Sequence, residues 1–93
     1  MLTFEEYFYP DGMLGCFLWA NEIERGWRGR FNIRPEILDV LDHPVHEGAS
    51  VALCEKNRDR IEAACRRGFA RALNRQSESI DLQLDDFTEK PVP

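Results

Sequence analysis

His43 and His46 stand three apart in the chain, with Glu47 beside them and Cys54 a little further on. These are the residue types that hold a divalent metal. Spacing alone does not make a site, however. Pro44 between the histidines forces an irregular loop, and a structural metal centre needs about four well-placed ligands with support behind them. Both histidines read as loop residues. Cys16, Cys54 and Cys65 are the candidate nucleophiles, and a cysteine acts as one only where a base or positive charge makes it a thiolate. Cys54 and Cys65 fall on the apolar stripe of a predicted helix and Cys16 in the middle of a predicted strand, so all three read as inert, buried free thiols. Cys54 and Cys65 lie roughly 16 Å apart along that helix, too far for a disulfide. The glycines Gly12, Gly15, Gly26 and Gly29 do not precede a helix as a phosphate-binding loop requires. No catalytic residue, metal or cofactor is expected, and the chain reads as something other than an enzyme.

The remaining chemistry is basic. Residues 50–75 read as one long amphipathic helix opened by Ser50 as its cap. Cys54, Ile61, Cys65, Phe69 and Ala72 share its apolar stripe, while Lys56, Arg60, Arg67 and Arg71 share the opposite side. A helix of about 37 Å is long enough to follow a nucleic-acid groove. The charge around it argues the other way. Residues 1–53 carry nine acids and four bases, residues 54–75 three acids and seven bases, and residues 76–93 five acids and one base. A basic helix between acidic flanks is answered first by its own chain, with Glu78, Asp81 and Asp85 as partners. Arg58 stands apart, because its wheel position lies inside the apolar stripe. An unpaired buried guanidinium costs several kcal/mol, on the order of the penalty for any lone buried charge, so Arg58 must be paired or reach water along its stem, and a carboxylate is the expected partner. Asp86 and Asp85, after the last strand, are the expected partners, and the pairing would lock that strand.

The elements that must position these residues follow from periodicity. An aromatic run at residues 4–9, a turn at Pro10, Asp11 and Gly12, and an apolar run at residues 13–19 form a predicted hairpin. Both faces of the second strand are apolar, which places it centrally. Trp27, Phe31 and Ile33 alternate with Arg28, Arg30 and Asn32 in a third strand, where Gly29 leaves space on the inward side. Pro35 opens a short helix buried along Ile37, Leu38 and Leu41, and Pro44 ends it. Ile80, Leu82 and Leu84 alternate with Ser79, Asp81 and Gln83 in a final strand. The fold class is α+β: a two-layer domain over residues 1–88, with an antiparallel sheet of about four strands in the order β-β-β-α-α-β, packed by one short and one long helix. Residues 89–93 read as a disordered tail.

The segments Asn57-Arg58-Asp59-Arg60-Ile61-Glu62-Ala63-Ala64, Phe69-Ala70-Arg71, Ile80-Asp81-Leu82 and Asp86-Phe87, with Phe31-Asn32-Ile33-Arg34-Pro35-Glu36-Ile37-Leu38 before them, resemble a small bacterial family catalogued as domain of unknown function 1488. The likeness covers roughly residues 27–87. It implies a small bacterial α+β domain of no assigned activity, and it carries over no catalytic residue.

Ninety-three residues with a 43% hydrophobic content make one globular domain rather than a disordered chain. No apolar run is long enough to span a membrane, and no secretion signal opens the sequence, so the cytoplasm is the expected compartment. The long helix should outreach its own sheet, and the overhang carrying Phe69 and Leu73 suits burial by a second copy. A homodimer acting through protein contacts is therefore the expected function. The alternative is a nucleic-acid-binding regulator using the basic helix face.

Overall fold

The computed structural model describes residues 1–41, 49–72 and 78–87. Four strands form one sheet in sequence order: β1 (Leu2–Asp11), β2 (Gly15–Glu22), β3 (Trp27–Ile33) and β4 (Ser79–Asp81). Asp11 pairs with Gly15 across the first hairpin, so Pro10 and Asp11 belong to β1 and the turn is residues 12–14. Gly12 takes φ 68° there, a left-handed conformation that a side chain resists. Asn21 and Glu22 extend β2 beyond the expected end and pair with Arg28 and Trp27.

Three helices cover one face: α1 (Pro35–Leu41), α2 (Ser50–Lys56) and α3 (Arg58–Arg71). Leu18, Ala20, Phe31 and Ile33 of the sheet meet Ile37, Leu38, Ile61, Ala64 and Cys65 of the helices, all at 0–1% exposure. The molecule is 20 Å through its thinnest direction, the depth of one sheet and one helix layer. The α+β class and the two layers are as the periodicity predicts.

Several expectations are corrected. The fourth strand joins β3 in parallel, Phe31 against Ile80, so the sheet is mixed rather than wholly antiparallel. The helical crossover through α1 to α3 returns the chain to the end where β3 began, which is what a parallel neighbour requires. Alternation had reported the strand but not its direction. The strand is also shorter than predicted, because the chain turns into a 3₁₀-helix at Leu84–Phe87.

The long helix is two helices. The Asn57 side-chain Nδ2 donates to the Leu53 carbonyl at 2.9 Å, and its backbone N–H donates to the carbonyls of both Leu53 and Cys54. Asparagine competes in this way for carbonyls that a continuing helix would use. Ser50 does not cap α2. Ala49 holds that position without a side-chain bond, and Ser50 is buried.

The cysteines are not all free. Cys16, on the inner face of β2, is bonded to Cys54 on α2, and only Cys65 remains a thiol. The reading of free thiols weighed the two helical cysteines against each other, whereas strand alternation carries Cys16 beneath α2. The link closes a separation of 38 residues, for which chain entropy predicts about 4 kcal/mol of stabilisation.

Candidate functional site

Arg58 is answered by the first strand rather than the last. Between Phe4, opposite Ala20, and Phe8, opposite Leu18, β1 has three residues where β2 has only Trp19. A bulge of this kind frees backbone groups from the ladder. Arg58 Nη2 donates to the Glu5 carbonyl at 2.6 Å and Nη1 to the Glu6 carbonyl at 2.7 Å, while Nε donates to Glu62 Oε2 at 2.6 Å. The guanidinium lies 5.3 Å from the Phe8 ring centroid. Every side of the group is used, so Arg58 is a clamp on the β1 bulge and not the partner of Asp86 or Asp85. The wheel was right that Arg58 faces the sheet. It could not show that backbone carbonyls would be waiting there.

Asp86 has other partners. Buried in the 3₁₀-helix, it accepts from Arg71 Nη2 at 2.9 Å, from Arg71 Nε at 3.3 Å and from the Gln83 N–H at 2.9 Å. Its own carbonyl accepts from Arg67 Nη1 at 2.8 Å. A Cβ on Gly68 would sit 3.1 Å from Leu82 and 3.3 Å from Asp86, so the missing side chain lets this segment lie close on α3. Asp86, Arg67 and Arg71 thus fasten the C-terminal segment to α3, and half of the basic stripe is spent on it. Arg60 remains exposed next to the helix break, beside an open depression of about 320 Å³ lined, among the described residues, by residues 55–60. Phe69 is no overhang: its ring lies 4.9 Å from that of Trp27, in the domain's own core. Trp27 also fills the space over Gly29, where a Cβ would come within 2.5 Å of both the Trp27 ring and the Glu78 carbonyl.

The surface that the sequence reading passed over is the other face of the sheet, which none of the described helices covers. Tyr9, Phe17 and Trp19 form a ladder across β1 and β2. Tyr9 stacks on Phe17 at 5.6 Å, and Phe17 meets Trp19 edge-on at 6.1 Å. From β3, Arg30 lies 4.3 Å over the Phe17 ring and Arg28 5.2 Å from that of Trp19. Carboxylates on β1 steady both arginines: Glu5 is 3.2 Å from Arg28, and Asp11 is 3.7 Å from Arg30. Beyond them Asn32 Nδ2 donates to Ser79 Oγ at 2.7 Å and Asp81 Oδ1 at 2.8 Å, while its own buried Oδ1 has no partner among the described residues. Tyr7 and Tyr9 stay 58% and 42% exposed at the rim, enough for a partner to reach both rings.

The perturbed acids lie off this face. Burial pushes the Cys65 thiol well above its ordinary range, which keeps it protonated and unreactive. The Met1 ammonium, 2.6 Å from Glu22, holds that carboxyl below its ordinary range. Among the described residues no three metal-ligating side chains gather, and no helix is long and apolar enough to cross a membrane. His43, His46, Glu47, Leu73 and the tail lie outside the described residues.

No protein-family model, no curated protein and no solved structure matches the chain. The signal for the sheet face was nevertheless in the sequence. Two apolar faces on β2 and two arginines at alternate positions of β3 place aromatics and guanidinium groups side by side. β2 is central, between β1 and β3, as its two apolar faces predict, and the described helices cover only one of those faces.

Proposed function

We propose that this chain is a non-enzymatic contact module that works through protein–protein contacts at the open face of its sheet, with a homodimer as its simplest assembly. One observation carries the reading: the Tyr9–Phe17–Trp19 ladder, stacked with Arg28 and Arg30, lies on a face that no described element covers. Aromatic residues and arginine, with no lysine, are the composition of a protein-interface centre. The likeness to domain of unknown function 1488 belongs to the same proposal, since it implies a small bacterial domain without an assigned activity. So does a cytoplasmic home, where complete burial of Cys16 and Cys54 shields their bond from reducing thiols.

Nucleic acid is the weaker reading. Arg67 and Arg71 are turned toward Asp86, and the open face sets Glu5, Asp11 and Asp81 against its two arginines, a balance that repels a phosphate backbone.

Comparing the wild-type chain with a Phe17→Ser/Trp19→Ser variant as bait in an extract of the native host tests the proposal. A bound protein, whether a second copy or another chain, should be lost with this variant and kept with Arg60→Ala. Equal retention by both would remove the sheet face as the contact surface. Salt-sensitive retention on heparin, lost in Arg60→Ala, would favour nucleic acid instead.

A further inference from the structure

We infer that the occupant of the open sheet face is a second copy of this chain, seated face to face about a two-fold axis that runs along β2. The inference rests on the contact-module reading and names the partner and its orientation.

Charge placement selects the axis. On this face the acids Glu5 and Asp11 sit on β1, the bases Arg28 and Arg30 on β3, and the uncharged rings of Phe17 and Trp19 lie between them on β2, while Asp81, held by Asn32, lies beyond them on β4 and outside the three-strand overlap. A two-fold along β2 exchanges left for right without reversing the strand direction. It therefore lays the acidic strand of each copy over the basic strand of the other, and β2 over β2, ring against ring. A two-fold across the strands would instead lay β1 on β1 and β3 on β3, so that like charges meet at a cost that disfavours pairing. The intrachain pairs at 3.2 and 3.7 Å are exposed ones, and such pairs hold so weakly that trading partners between copies costs little. Sheets packed face to face keep their strands within about 30° of each other, as an axis along the strands requires.

Assembly through the β1 edge is closed. β1 is the long edge strand, and edge-to-edge pairing would need its outer backbone groups. The bulge breaks that row, Arg58 occupies the Glu5 and Glu6 carbonyls, and Pro10 removes a donor. Area fixes the strength. Three strands of about eight residues offer roughly 400 Å² of flat footprint per copy, which even with side-chain relief is at the low end of specific interfaces. The dimer should therefore dissociate in the range of about 1–100 µM.

A mixed-label experiment tests both the partner and the axis. Thr3, exposed beside Asn21 on the open face, is replaced as Thr3→Cys and carries a nitroxide. Labelling is selective because Cys65 is buried and Cys16 and Cys54 are bonded to each other. These copies are mixed with isotope-labelled copies bearing no nitroxide, so any broadening arises between chains. Sedimentation should show a concentration-dependent dimer, weakened at least ten-fold by Phe17→Ser/Trp19→Ser, with the strongest broadening at residues 27–29 of the other copy. A dimer whose strongest broadening falls on β1 overturns the axis. A dimer with no broadening on the sheet face, unaffected by the double variant, overturns this inference and the contact face together. A monomer up to about 1 mM overturns the second copy alone, since the extract comparison still decides whether another protein uses the face.

Discussion

The two faces of β2 differ by one step along the chain and by nearly everything in their surroundings. Cys16, Leu18 and Ala20 have no exposed area, while Phe17 and Trp19 between them are only half-buried. The residue types are equally apolar on both sides. What separates the faces is what lies over them among the described residues: three helices on the inner face, and on the outer face the guanidinium groups of Arg28 and Arg30 over the rings. Burial of a strand therefore cannot be inferred from its hydrophobicity alone.

Paired truncations would break this comparison most sharply. Leu18→Ala opens a cavity in a layer with no exposed area, and it should cost about 2–5 kcal/mol in urea unfolding. Phe17→Ala, one residue away, gives up ring contacts at a half-open surface and should cost about 1–2 kcal/mol at concentrations where the chain is monomeric. Equal costs would mean that the outer face is as enclosed as the inner one.

The boundary between the faces is β1, where Arg58 reaches from the helix layer to the bulge. Arg58→Met keeps the stem but leaves the Glu5 and Glu6 carbonyls unanswered, at about 1–3 kcal/mol. A double-mutant cycle with Glu62→Gln should show coupling, and one with Asp86→Asn should show none, because Asp86 pairs with Arg71. Coupling to Asp86 would restore the pairing expected from the sequence.

That contrast marks how far the sequence could be read. Periodicity located the strands, the short helix and the inner core, because each depends on local spacing. It found Arg58 as the misplaced charge and offered Asp86 and Asp85 as the carboxylates to meet it. It joined them because a helical wheel assumes an unbroken helix and carries no information about carbonyls freed by a bulge 52 residues away. The parallel direction of β4, the Asn57 break and the Cys16–Cys54 bond share that cause. Each depends on how elements meet rather than on any one element's pattern. The open face was passed over for a related reason: alternation says which residues share a side and nothing about what lies over it.

The dryness of the inner layer has a pH signature. Burial raises the Cys65 thiol above its unfolded value, so the native state keeps a proton that the unfolded chain releases. Its contribution is fully present below about pH 8.5, the ordinary thiol value, and is lost as pH rises beyond it, at up to about 1.4 kcal/mol per pH unit. Urea unfolding of wild type against Cys65→Ala between pH 8 and 10 isolates the slope, because the variant lacks only this thiol. A slope shared by both proteins would place the titration elsewhere.

The smallest effect expected is the most informative about the outer face. Arg28 lies 5.2 Å from the Trp19 ring centroid, with its side chain 57% exposed, so the contact sits in water, where a cation–π pair contributes only about 0.5–1 kcal/mol. Its ion pair with Glu5 adds little. Arg28→Ala should therefore lower stability by no more than about 1 kcal/mol. The same change uncovers one face of the Trp19 ring, and quenching of tryptophan fluorescence by acrylamide should rise. Trp27, packed between Phe31 and Phe69, supplies a constant background. Raised quenching at nearly unchanged stability would show that the arginine shields the ring without holding the fold together. A large loss of stability would mean that the outer face is part of the core, and the distinction between the two faces of β2 would fail.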